Sequence, residues 1–197
     1  MFNSSSSLKS DNLQSSTKSS SFSDFFSSKK SNPISGYINL PNLAGYEVIS
    51  NIQEKKYDKR QQVKVVDITD GDTFKCTIDS KEVSIRLYGI DAPEDGQAFS
   101  LKSTNYFKQL LDGKNVKIKT VDYDSSGRAV SLVYADKINV NEAMVRSGAA
   151  WVNPQSCKLI FCGEWSYYQQ IARALKMSLW EEKEPTPPWE YMASMRR

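Results

Sequence analysis

The 197-residue chain contains no histidine. That absence excludes Ser-His-Asp hydrolases, paired-histidine ribonucleases, His-metal-finger nucleases and ordinary His-containing zinc sites. Any acid–base chemistry must run on Asp, Glu, Lys, Tyr or Cys. Long hydrophobic runs are missing too, none approaching the roughly 18 residues of a membrane span. Cysteine is sparse, with three in all, too few for a disulfide framework. Cys76 falls in an apolar–polar alternation and reads as a small core residue. Cys157 and Cys162 could close a small loop in an oxidising compartment or stand as two free thiols, and the spacing leaves both open. A basic excess is lacking where it would count. The chain carries 26 Lys and Arg against 23 Asp and Glu, but residues 1–60 hold 8 basic and 5 acidic residues while 61–197 hold 18 of each. A polyanion would have to be met by a local basic site rather than a global field.

The length suits one domain plus a tail. Residues 1–32 contain 14 serines, four lysines and two aspartates, a composition that cannot bury enough apolar surface to offset its ordering entropy, so disorder is expected. This stretch lacks the continuous apolar region of a secretory signal, and Phe2 excludes an N-myristoylation motif. Its serine-rich, acid-poor character resembles an organelle transit peptide, although no arginine precedes Arg60. Residues 33–61 form a partly apolar lead-in, 62–182 the folded domain, and the proline-broken 183–197 a tail expected to wrap the surface.

Within the domain, "VKVVDIT", "TFKCTID" and "EVSIRLYGI" alternate with period two between "DGD" and "DSK" turns, the pattern of three strands. "GQAFSLKSTNYFKQLLDG" places Phe99, Ser103, Tyr106, Phe107, Leu110 and Leu111 at helical spacing and ends on a capping Gly113. "NVKIKTVDYD" and "AVSLVYADK" read as two further strands around "DSSGR". "NVNEAMVRSG" reads as a short helix and "EWSYYQQIARALKMSLW" as a longer one. This order implies an α+β protein with a mainly β core, a five-stranded OB-fold Greek-key barrel with about three helices.

Two polar clusters interrupt the pattern. "DITDGDTFKC" puts Asp70 and Asp72 around Gly71, where a plain hairpin turn would account for the sequence. Asp70 reads as that turn's ordinary residue. "IRLYGIDAPEDG" then brings Arg86, Asp91 and Glu94, and "DSSGR" brings Arg128 after a glycine that permits a tight turn. Each has a bland alternative: a structural ion pair for Arg86, a helix cap for Glu94, a solvated turn for Arg128. Together they have a chemical logic. Asp72 and Asp91 offer hard oxygen ligands, with a backbone carbonyl, for a weakly held, water-rich Ca²⁺. Glu94 can position or deprotonate a water, and two arginines can present planar donor pairs to a phosphate.

"DGDTFKC…IRLYGIDAPEDGQ…DSSGRAVSLVY…NVNEAMVRSGAAWV" resembles the thermonuclease (staphylococcal-nuclease-like) family from about Val63 to Trp180. The resemblance implies a barrel of the OB type and hydrolysis of DNA and RNA to 3′-phosphate ends with low sequence specificity. By the same resemblance Asp72, Asp91 and the carbonyl of Ala92 bind Ca²⁺, and Arg86, Glu94 and Arg128 are catalytic. Ala92 replaces a threonine of the family pattern, which spares the backbone ligand. Three departures stand out: a short loop after the "PE" box, Ser125 and Ser126 in place of a Lys-Tyr pair, and no nucleotide-gripping tyrosines in "NPQSC". They point to intact catalysis with weaker ground-state binding. Single strands are the favoured substrates, the chain is expected to be a monomer, and no protein partner is implied. A weak Ca²⁺ site favours export slightly, against a cytoplasmic or organellar place. The alternative to an enzyme is an inactive OB-fold module that binds nucleic acid or protein.

Overall fold

The structure, a computed structural model, describes residues 60–196. The expectations for 1–32 and for the lead-in up to residue 59 lie outside the described residues. Strand β1 (Gln61–Ile68) pairs antiparallel with β2 (Thr73–Ile78), and β2 with β3 (Lys81–Leu87). On its other side β1 pairs with β5 (Val116–Tyr123), and β5 with β6 (Ala129–Ala135). A parallel pairing of β3 with β6, Ile85 opposite Ala129 through Leu87 opposite Ser131, closes the five strands into a mixed barrel. The OB-type barrel foreseen from the strand spacing is therefore present. Short strands decorate it. β4 (Ile90–Asp91) pairs with β8 (Trp151–Val152), and β7 (Ile138–Asn139) pairs antiparallel with the end of β6.

Closure follows from residue pattern. In β2, Phe74 and Cys76 are fully buried while Lys75 between them is exposed, the alternation that one core-facing strand face demands. Cys76 is the small core residue expected of it. Bulges between Val65 and Asp67 and between Thr120 and Asp122 bend β1 and β5, which supplies curvature a flat ladder lacks. Helix α1 (Ser100–Leu111) buries Ser103, Phe107 and Leu111, and Phe107 meets Phe74 edge to face with ring centroids 6.0 Å apart.

Helix α2 (Val140–Arg146) is capped by the Asn139 side chain, which accepts from Glu142 N–H. Its first-turn Asn141 is completely buried. The Asn141 Oδ1 accepts from Val133 N–H at 2.9 Å, and Nδ2 donates to the carbonyls of Tyr88 at 3.0 Å and Ser131 at 3.2 Å. One amide thus ties α2 to β6 and to the exit of β3.

Two expectations need correction. The long helix from Glu164 to Trp180 is broken: α3 runs Cys162–Ala174, and a 3-10 turn occupies Ser178–Glu181. Lys176 in the link and Ser178 at the start of the 3-10 turn take left-handed φ of 52° and 49°, which turns the chain so that Leu179 and Trp180 enter a cluster with Trp151 and Ala172. The proline-rich tail also forms a fourth helix, α4 (Pro188–Met195), with Pro at its first position where no N–H is needed. Cys157 and Cys162 are joined in a disulfide, Cα to Cα 5.7 Å, which decides between the two states that the sequence left open. No helix among the described residues is long and apolar enough to cross a membrane.

Candidate active site

The "DGD" segment connects β1 to β2 as a turn. Thr69 N–H donates to the Thr73 carbonyl at 2.9 Å, and Asp70 Oδ1 accepts from Asp72 N–H at 2.8 Å, the Asx geometry that aspartate favours. Asp70 is therefore the turn residue that it was expected to be. Gly71 has a different task from the one its sequence suggests. It does not take a positive φ. Instead, a Cβ there would lie 2.4 Å from Ser103 Oγ and 2.7 Å from Ala92 Cβ. Glycine is needed because the turn is pressed onto α1 and the segment after β4.

That contact buries Asp72. Its Oδ1 accepts from Thr73 Oγ1 at 2.8 Å, and its Oδ2 accepts from Ala92 N–H at 3.1 Å. Asp91, on β4, is buried beside it. Arg86, half-buried on β3, spans both: Nη2 donates to Asp91 Oδ1 and lies 3.3 Å from Asp72 Oδ2. The charge inside an apolar strand thus has two partners, as a buried charge requires. Asp91 is also approached by Asn153 Nδ2, 3.4 Å from Oδ2. Burial first, and then the Asp72 charge, push the Asp91 carboxyl up to about 7, against the pull of Arg86. Burial and the same neighbour raise Asp70 to about 6. One guanidinium does not fully offset this acidic cluster.

Glu94 and Arg128 complete the group. Glu94 lies in the loop after β4, half-buried. Burial raises its carboxyl, with Asp72 adding to the rise and Arg86 and Arg128 opposing it. Arg86 in turn feels Asp72, Asp91, Asp70 and Glu94. The residues singled out in the sequence therefore share one electrostatic neighbourhood. Arg128 leaves the β5–β6 turn under a constraint that the sequence reading missed. Its Nε donates to Asp124 Oδ2 at 2.6 Å and its N–H to Asp124 Oδ1 at 3.0 Å, while Gly127 takes φ 78° to let the chain return. Asp124 grips the guanidinium at Nε, so the two terminal nitrogens are the edge that can meet a phosphate.

The donor set fits a hard divalent cation in one respect: two buried carboxylates stand side by side, and after burial itself the Asp72 charge is the main cause that raises the Asp91 carboxyl, a repulsion that a cation relieves. Among the described residues no three Asp, Glu or Cys side chains form a metal cage. A cation here would therefore draw on two carboxylates, backbone carbonyl and water, as weak Ca²⁺ sites do.

The closed OB-type barrel thus brings two buried carboxylates, Glu94 and two arginines into one electrostatic neighbourhood, a set of groups suited to acting on a phosphodiester. Residues 84–182 match the family described as Staphylococcal nuclease homologue. An uncharacterized endonuclease of Escherichia coli is 41% identical over 128 residues, which span 64% of this chain and 81% of that protein. An uncharacterized endonuclease of Haemophilus influenzae is 36% identical over 68% of this chain and 74% of its own length. Micrococcal nuclease of Shigella flexneri is 30% identical over 64% of this chain and 78% of its own length. The chain belongs to the staphylococcal nuclease family.

Proposed function

We propose that this chain is a Ca²⁺-dependent nuclease that hydrolyses DNA and RNA with low sequence specificity and leaves 3′-phosphate ends. The observation that carries the reading is the Arg86 guanidinium bridging Asp72 and Asp91, with Glu94 and Arg128 in the same field. Asp72, Asp91 and the carbonyl of Ala92 are the groups that would hold the ion. Bound there, Ca²⁺ would supply positive charge to offset the negative charge that builds in the reaction.

The chain's own residues account for the remaining chemistry. Glu94 accepts a hydrogen bond from the attacking water and draws off its proton as the water oxygen bonds to phosphorus. The bond from phosphorus to the 5′-oxygen breaks, the phosphate stays on the 3′ side, the departing 5′-oxygen takes a proton from water to become a hydroxyl, and Glu94 returns its proton to solvent. Arg86 and Arg128 donate to the phosphoryl oxygens as charge grows on them, the term that usually dominates such catalysis. Contacts confined to phosphates carry no base information, which supports low specificity. The balanced charge of residues 61–197 gives little attraction for a stiff duplex, and single strands reach a recessed phosphate more readily.

The test is cleavage of labelled single-stranded DNA and RNA in Ca²⁺ by wild type and by Glu94→Gln. We expect Glu94→Gln to lose about 10²–10⁴ in kcat, the span of general-base catalysis. A wild-type protein that binds these strands but leaves them uncut would make the chain a binding module instead.

A further inference from the structure

The family match ends at residue 182, yet the chain beyond it returns to the Glu94 loop. The contact runs through Gln97. Its Nε2 donates to the Thr186 carbonyl at 2.6 Å, and its Oε1 accepts from Glu94 N–H at 3.0 Å. The Gln97 N–H also donates to the Glu94 carbonyl at 3.0 Å. Only one orientation of the side-chain amide serves both partners, with oxygen toward an N–H and nitrogen toward a carbonyl. Gln97 is therefore a spacer of fixed length between the backbone of Glu94 and the tail.

This loop needs an external hold. Gly96 takes φ 77° and Phe99, at the entry to α1, takes φ 66° without a side-chain cap on the helix. A non-glycine residue in that region is strained and persists only where its surroundings over-determine it. The surroundings come largely from the C-terminal segment. Phe99 packs on the Trp151, Leu179 and Trp180 cluster together with Trp189. Lys102 Nζ meets Glu181 Oε1 at 2.7 Å. The Tyr191 hydroxyl stands over Gly96, 3.4 Å from where a Cβ would be. Glu94 also lies in the field of the Asp72 carboxylate, a like charge beside it.

We infer that Gln97 is a positioning residue for Glu94, and that the tail from Pro185 to Met195 is a strap that holds Gln97 in place. The inference rests on the reading of Glu94 as the group that orients the attacking water. A misplacement of about 1 Å in such a group can cost about 10²-fold in rate, so a tether of two hydrogen bonds is enough to matter.

Steady-state cleavage of a labelled single-stranded oligonucleotide at saturating Ca²⁺ tests it, with full-length Gln97→Ala, Trp189→Ala, the double variant and Glu94→Gln beside wild type. Gln97 is half-buried at the surface, so its truncation leaves the core intact, and thermal unfolding checks each variant. Gln97→Ala should lower kcat about tenfold with KM changed less than about twofold. Trp189→Ala releases the strap without touching the loop hydrogen bonds and should lower kcat by a similar factor. The double variant should fall little below the worse single one, because both changes cut one tether. A merely structural strap would shift the melting temperature and leave kcat alone. A Gln97→Ala kcat within about twofold of wild type, or fully multiplicative losses in the double variant, overturns the strap. Glu94→Gln separates the two readings. If it is crippled while Gln97→Ala is not, only the strap falls; if it cuts like wild type, the role of Glu94 falls and the strap with it.

Discussion

Replacing Gly71 with alanine probes how the turn serves the site. The backbone there is not left-handed, so the cost is steric and can be worked from the neighbours. The added methyl would stand 2.4 Å from Ser103 Oγ, 2.7 Å from Ala92 Cβ and 3.2 Å from Ser103 Cβ. Neither neighbour yields easily. Ser103 Oγ donates to the Ala149 carbonyl at 2.8 Å in a buried site, and Ala92 N–H is committed to Asp72 Oδ2. Overfilling a packed core costs about 1–3 kcal/mol, and losing the Ser103 hydrogen bond adds about 1 kcal/mol. Gly71→Ala should therefore destabilise by about 2–4 kcal/mol and lower the melting temperature by roughly 5–15 °C for a domain of this size. Because the displaced neighbour is Ala92, the response to Ca²⁺ should weaken as well. The assay is thermal unfolding by circular dichroism with and without Ca²⁺, beside cleavage rate. Adding Ser103→Ala should recover part of the stability and not all of it, since Ala92 Cβ remains in the way. A Gly71→Ala protein that melts with wild type and cuts at the wild-type rate would refute the packing argument.

Excess EDTA should abolish cleavage, and Ca²⁺ at 100 times its Kd should stabilise the fold by about 2.7 kcal/mol, a shift read in a melting curve. Asp72→Ala and Asp91→Ala should flatten that shift, and Mg²⁺ should give less of it because it sheds water reluctantly; full activity in EDTA would remove the metal from the scheme. Arg128→Lys keeps the charge and loses the fork, so kcat in single-turnover cleavage should fall about 10²–10³-fold with folding unchanged. A folded Arg128→Lys that cuts within about threefold of wild type would return Arg128 to the role of a turn residue. Replacing both Cys157 and Cys162 with serine opens a loop of sequence separation 5 and should cost about 2 kcal/mol of stability; an unchanged melting temperature would show that the loop holds without the bond.

The barrel was legible because its signals are local. Period-two alternation in "TFKCTID" marks a strand whose neighbours supply the turns, and the same alternation puts Phe74 and Cys76 in the core. The break after Ala174 was not legible. Residues Leu175 to Trp180 keep a helix-like apolar spacing, but Gly148 carbonyl accepts from Leu179 N–H at 3.1 Å, and the Trp151–Trp180 contact at 5.6 Å draws the chain aside. Both partners lie far away in sequence, so no window of residues contains the signal. The fourth helix was hidden for the opposite reason. Prolines 185, 187 and 188 read as breakers, although Pro188 at a helix start is where proline fits best.

At the site, Arg86 stands out because an arginine within an apolar strand is unusual in its local setting, whereas acids around a glycine turn are ordinary. Asp72, Asp91, Glu94 and Arg128 drew their candidate roles from their combination and the family resemblance. The groups that aim them are polar residues without such a flag. Asn153 reaches Asp91 across 62 residues and Gln97 reaches Thr186 across 89, so their roles exist only once the barrel has closed. Asp124 is different. An aspartate four residues before an arginine, with glycine just ahead of that arginine, is a turn in which the carboxylate can collect nearby N–H groups. Its Oδ1 does so from Ser126 at 2.9 Å and from Arg128 at 3.0 Å. Those bonds and the Arg128 Nε contact hold its carboxyl below the usual range, although burial acts against them. The Asx turn should therefore orient the guanidinium before a phosphate arrives, and "DSSGR" carries both the arginine and the device that aims it.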